Sequence, residues 1–100
     1  MNPQVLTIRV DESLYFANTR FLEDRIYSEV AKQSEIKHVI LMCSAVNAID
    51  MSALESLELI NERLRLGGIK FHLSEVKGPV MDKLEGTSLL THLSGDIFLS

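Results

Sequence analysis

"HVILMCSAVNAID" (38–50), running into "MSALESLELINERLRLGG" (51–68), decides the fold. The first part is a short apolar run containing the β-branched pair Val39 and Ile40. In "KHVILMC" (37–43) it has the unbroken hydrophobicity of a central strand covered on both faces. The second part switches to a helical period. From Ser52 onward, at roughly 100° per residue, Ala53, Leu57, Ile60 and Leu64 fall on one side and must face a core. Gly67-Gly68 ends that helix, expected over 52–66. Ser52 and Glu55 have the spacing of a capping box, and Asp50 adds negative charge at the positive end of the helix.

The same alternation continues on both sides. "QVLTIRV" (4–10) puts Val5, Thr7 and Arg9 on one face and Leu6, Ile8 and Val10 on the other, as a half-buried strand does. "SLYF" (13–16) reads as a second strand joined by the short "DE", which predicts an antiparallel hairpin. Asn18 is a candidate cap for a first helix over about 18–34, with Glu23 and Asp24 near its start and Leu22, Ile26 and Val30 as its inner stripe. "IKFHLSEV" (69–76) is the next strand. Gly78-Pro79 opens a short helix that Gly86 closes, and "DIFLS" (96–100) is the last strand. The order ββαβαβαβ is an α/β fold with right-handed βαβ units. The chain ends on that strand with no covering element after it, the expected mark of a domain excised from a larger protein.

Bulk properties bound the function. One hundred residues make a single domain with a modest core, and 46% hydrophobic with 24% charged residues is an ordinary globular balance. A net charge of −4, with Arg20, Lys32 and Lys70 scattered singly, argues against nucleic acid, which needs a basic stripe. Cys43 is the one cysteine, so no internal disulfide can form. Its apolar setting suggests a buried thiol, with a reactive nucleophile as the alternative, and the expected compartment is reducing. No Cys/His cluster has zinc spacing. No signal peptide and no bilayer-length apolar run are present, so this piece is expected to be soluble.

With these residues in hand, the strand ending at Asp50, the Asp-x-Ser turn at 50–52, the helix ending at Gly67-Gly68 and the segment "VKGPVMDKLEGTSLL" (76–90) resemble the STAS domain. That fold is shared by anti-sigma factor antagonists and by the cytosolic C-terminal part of SulP sulfate permeases, and the likeness covers nearly the whole chain. "ESLYFANTRFLEDRI" (12–26) is similar to the permease branch in particular. The resemblance implies a mixed sheet with an antiparallel N-terminal hairpin and a further C-terminal helix, which is missing here. It also implies that in the anti-sigma branch the serine directly after the aspartate is phosphorylated. Here Met51 stands at that position, so the switch does not carry over, while Ser52 keeps a hydroxyl.

Three classes of function follow as expectations. The first is a non-catalytic regulatory and interaction domain of a SulP-type anion transporter, on the cytoplasmic side of the inner (plasma) membrane. Its interaction loop would contain Ser44, Asn47, Asp50, Met51 and Ser52, and its docking face Glu55, Leu59, Glu62 and Leu66. The partners would be the membrane domain of the same transporter or a cytosolic protein, with self-association as a further option. The second is a free-standing anti-sigma factor antagonist without the phosphoserine. The third is an enzyme, disfavoured because Asp50 and Glu55 have capping duties and His38, His72 and His92 are scattered, as structural histidines are. No cofactor is expected. An anion or nucleotide at the start of the second helix is opposed by Asp50.

Overall fold

The computed structural model describes residues 2–100, without the side chain of Phe16. Its elements run β1 (Val5–Arg9), α1 (Phe16–Lys32), β2 (His38–Met42), α2 (Met51–Leu66), β3 (Lys70–Val76), α3 (Gly78–Leu84), α4 (Ser88–His92) and β4 (Ile97–Leu99). The strands form one sheet in chain order, β1-β2-β3-β4, and every pairing is parallel. Right-handed crossovers that always step in the same direction place the helices on one face of the sheet. The register confirms the division. Ile8, Leu41 and Leu73 lie level on the helix side and are buried, while Thr7, Ile40 and His72 form a row on the other side.

The core is one continuous cluster built from these inward residues and the inner stripes of the helices. Ile26, Val39, Leu41, Ala53, Ile60 and Phe71 are fully buried. α1 and α2 pack together, and Thr19 Oγ1 donates to Ser56 Oγ at 3.3 Å in their buried seam.

The structure corrects four expectations. The sheet is parallel throughout, and "SLYF" is not the second arm of a hairpin. A two-residue hairpin loop needs left-handed backbone, which Asp11-Glu12 does not supply. Among the described residues Glu75 is the one non-glycine with positive φ, at 53°. Instead Leu14 forms a single parallel bridge with Ile49, and the helix begins at once. Second, α1 starts at Phe16, so Asn18 sits inside its first turn. Its Oδ1 accepts the Tyr15 N–H at 2.9 Å and its Nδ2 donates to the Ser13 carbonyl at 2.7 Å.

Third, α2 begins at Met51 and its cap is Asp50, not Ser52. Asp50 is extended, with φ −91° and ψ 170°, and its Oδ1 accepts the Ala53 N–H at 2.7 Å. A carboxylate in reach of that amide is a charge-assisted acceptor at the positive end of the helix dipole. Fourth, β2 is covered by helices on one side only: Val39 and Leu41 are buried, but His38, Ile40 and Met42 are half-exposed. The short helix α4 between Gly86 and β4 was not expected. Leu89, its buried residue, is too little pattern to announce a helix alone.

Candidate interaction surface

Loop 43–50 leaves the carboxyl end of β2, the end of an open α/β sheet where binding features gather. It is held on three sides. The Cys43 N–H donates to the Ser74 carbonyl at 2.8 Å, and Val46 N–H returns to the Cys43 carbonyl at 3.0 Å. Ser13 Oγ accepts the N–H groups of Asn47 and Ala48, at 3.2 and 3.1 Å. Lys77 Nζ, just before α3, donates to Asn47 Oδ1 at 2.7 Å. Val46 and Ile49 are sunk into the core. The loop is therefore braced, and it presents Asn47 and Ala48 outward beside Met51 and Ser52 at the start of α2.

The expected loop residues fall into two kinds. Asn47, Met51 and Ser52 are exposed, with Met51 64% accessible. Asp50 and Ser44 are half-buried, and Asp50 is occupied in the cap. Cys43 lies beneath the loop with its Sγ toward the Leu41 carbonyl at 3.5 Å. Burial, reinforced by the charge of Glu75, pushes its thiol up to about 12, which removes the thiolate that nucleophilic chemistry requires.

The outer side of α2 carries the four residues expected to form a docking face. Glu55, Leu59, Glu62 and Leu66 form an exposed ridge, with Leu59 67% and Leu66 74% accessible although both are large and apolar. On one flank, Leu59, Glu62 and Leu66 line a cleft with Glu23 and Tyr27 of α1 and with Arg63. The Arg63 guanidinium lies 4.2 Å over the Tyr27 ring, a cation–π contact that fixes the cleft wall. Arg65 grips Glu62 through two hydrogen bonds, Nε to Oε2 at 3.0 Å and Nη2 to Oε1 at 2.7 Å, and holds that carboxyl below its usual range.

On the other flank, Met51, Leu54, Glu55 and Glu58 line a groove with the turn at Gly86 and with Ser88 and Leu89 of α4. Glu58 accepts from Ser88 Oγ at 2.7 Å and lies 3.0 Å from His92 Nδ1. Those two bonds, Ser88 first, lower its pKa. Thus Glu55 faces a different groove from Glu62, and the ridge separates the two.

Apolar side chains at the centre of a charged rim are the chemistry of a protein interface. Among the described residues no group of three or more His, Cys, Asp or Glu side chains is placed to hold a metal ion. Sequence spacing missed the contribution of Ser13, Lys77 and Tyr27, because each reaches the surface through a tertiary contact. Phe21, 78% accessible beside β1, was also missed, although it stands one residue off the Leu22 stripe and the helical period turns it outward.

The family model of the STAS domain matches residues 1–100. Sulfate transporter 1.3 of Arabidopsis thaliana is 32% identical over 98% of this chain and 16% of its own length. High affinity sulfate transporter 2 of Stylosanthes hamata is 31% identical over 98% of the chain, again 16% of its own length. The chain therefore spans about a sixth of the curated relatives it matches. The inward-facing structure of the murine Solute Carrier 26 family member A9 anion transporter superposes with a TM-score of 0.82 at 17% identity, over 97% of this chain and 16% of that one. The solution structure of the protein TM1081 superposes with a TM-score of 0.81 at 19% identity, over the whole chain and 78% of that protein. At these identities the two structures bear on the fold alone. Among the described residues no helix is long and apolar enough to cross a membrane.

Proposed function

This chain belongs to the STAS domain family, and we propose that it is a non-catalytic regulatory and interaction domain of a SulP-type anion transporter. It works from the cytoplasmic side, with the transporter's own membrane domain as its partner. The observation that carries the reading is the pairing of two facts. The chain matches sulfate transporters along almost its entire length, and its α2 ridge leaves Leu59 and Leu66 in solvent beside a preformed cleft. Loop 43–50 and the start of α2 form the second part of the contact.

The free-standing signalling alternative is weakened by Met51. Its thioether is exposed at the first position of α2, where an anti-sigma antagonist would present its phosphorylated serine. Catalysis is disfavoured because Asp50 caps a helix and Cys43 is held as a thiol.

The test is co-expression of this chain with the membrane domain of a SulP transporter from the same genome, deleted for its own STAS segment. The expected result is co-purification and recovery of sulfate uptake. Absence of both contradicts the proposal.

A further inference from the structure

On the side of the sheet away from the helices, His38 of β2 and His72 of β3 meet ring to ring. His38 Nδ1 and His72 Nε2 are 3.0 Å apart, and the ring centroids are separated by 5.2 Å. The other nitrogen of His72, Nδ1, accepts the backbone N–H of Asp96 at 2.9 Å. An imidazole nitrogen that accepts carries no proton, so His72 holds its hydrogen on Nε2 and donates it to His38 Nδ1. Both tautomers are therefore set by one chain of hydrogen bonds, and both rings are neutral.

That chain cannot accept another proton and survive. A proton on His72 puts an N–H at Nδ1 against the Asp96 N–H. A proton on His38 puts two N–H groups face to face, or forces His72 into the tautomer that again opposes Asp96. The segment at stake is tightly seated. Gly95 N–H donates to the Phe71 carbonyl at 3.1 Å, and a Cβ on Gly95 would collide with the His72 ring and with that carbonyl. Beyond it lies β4, a three-residue edge strand.

We propose that the His38–His72 pair is a proton-controlled latch on turn 94–96: closed when both rings are neutral, and released from Asp96 when the pair takes up one proton. The Asp96 carboxylate, with Oδ2 4.0 Å from His72 Nδ1, is the acceptor to which the protonated ring turns. The charged groups facing the pair are Asp96 and Lys70, the latter level with His38 on β3. From β1, Val5 and Thr7 face it uncharged, and Arg9 further along is paired with Asp11 at 2.9 Å.

Burial holds His72 below the usual histidine range; His38 and Lys70 add to the depression and Asp96 opposes it. The unfolded chain therefore binds a proton at this site before the folded one does. The latch contributes fully above about pH 6.5, the ordinary histidine value, and its contribution falls as pH drops below that.

The test is nitrogen-detected imidazole spectroscopy with amide exchange on the parent chain, in buffer with a chelator. At pH 7.5 both rings should be Nε2–H tautomers. Between pH 7.5 and 5.0, exchange at Gly95 and Asp96, corrected for intrinsic rates, should lose at least tenfold protection in step with the His72 titration. β2 amides such as Leu41 should keep theirs. His72→Asn, whose Oδ1 stands where Nδ1 does but does not titrate, should keep Asp96 protected with no dependence on pH in that range. An Nδ1–H tautomer for His72, flat protection in the parent, or a pH dependence surviving in H72N would overturn the latch. Should H72N fail to fold, the parent's tautomer and exchange data decide alone.

Discussion

The backbone N–H of Asp50 donates to the carbonyl of Leu14 at 3.1 Å, while Leu14 N–H donates to Ala48 at 2.9 Å. Two segments 36 positions apart are thereby sewn together just where the chain turns into α2. The same aspartate caps that helix through its side chain, so the turn is positioned by backbone and carboxylate together.

Asp50→Ala should cost about 1 kcal/mol, the usual effect of losing a helix cap. Ser52→Ala, at an exposed second helical position, should stay within about 0.5 kcal/mol of the parent. Urea unfolding followed by circular dichroism measures both. A larger loss at Ser52 than at Asp50 would restore the serine as the cap.

Leu57 and Leu59 stand two positions apart on α2 with opposite fates, since Leu57 is 1% and Leu59 67% accessible. Leu57→Ala should cost about 2–5 kcal/mol, because it leaves a cavity in a close-packed core. Leu59→Ala should cost about 0.5 kcal/mol or less. Equal losses in urea unfolding would mean that Leu59 belongs to the core.

Gly95→Ala should destabilise by about 1–3 kcal/mol, since the new methyl meets the His72 ring and the Phe71 carbonyl. Gly78→Ala, where a Cβ meets open space, should be neutral or stabilising by up to about 1 kcal/mol. Thermal melts of the pair compare the two positions directly.

Cys43 should react with a disulfide reagent at pH 8 only as fast as the protein opens, because its thiol is buried and burial pushes its pKa up to about 12. Labelling should become rapid in urea above the unfolding midpoint. Fast native labelling would contradict the burial of this thiol.

Much of this arrangement was legible in the sequence because it rests on local periodicity. Leu6, Ile8 and Val10 alternate and Ala53, Leu57, Ile60 and Leu64 recur at helical spacing, so β1 and the inner face of α2 could be placed. Gly67-Gly68 stopped α2 where the helix indeed ends at Leu66. What failed depended on distant partners. "SLYF" has the composition of a strand, yet Ser13 bonds to Asn47 and Ala48, and Leu14 to Ala48 and Asp50, none of which local pattern can see. The capping box at Ser52 and Glu55 was a sound spacing argument displaced by Asp50, two residues before the box. The exposure of Leu59 and Leu66 was readable from angle alone. The cleft beside them was not, because Tyr27 comes from α1. The pairing of His38 with His72 likewise needed the register of β2 against β3.

Whether the α2 ridge is an interaction surface is read from one binding constant. The chain and its Leu59→Ala/Leu66→Ala variant are titrated against the purified membrane domain of the SulP transporter used for co-expression. The parent should bind, and the double variant should bind at least tenfold more weakly with an unchanged urea midpoint. Equal binding by the two proteins, or no binding by the parent, would contradict it.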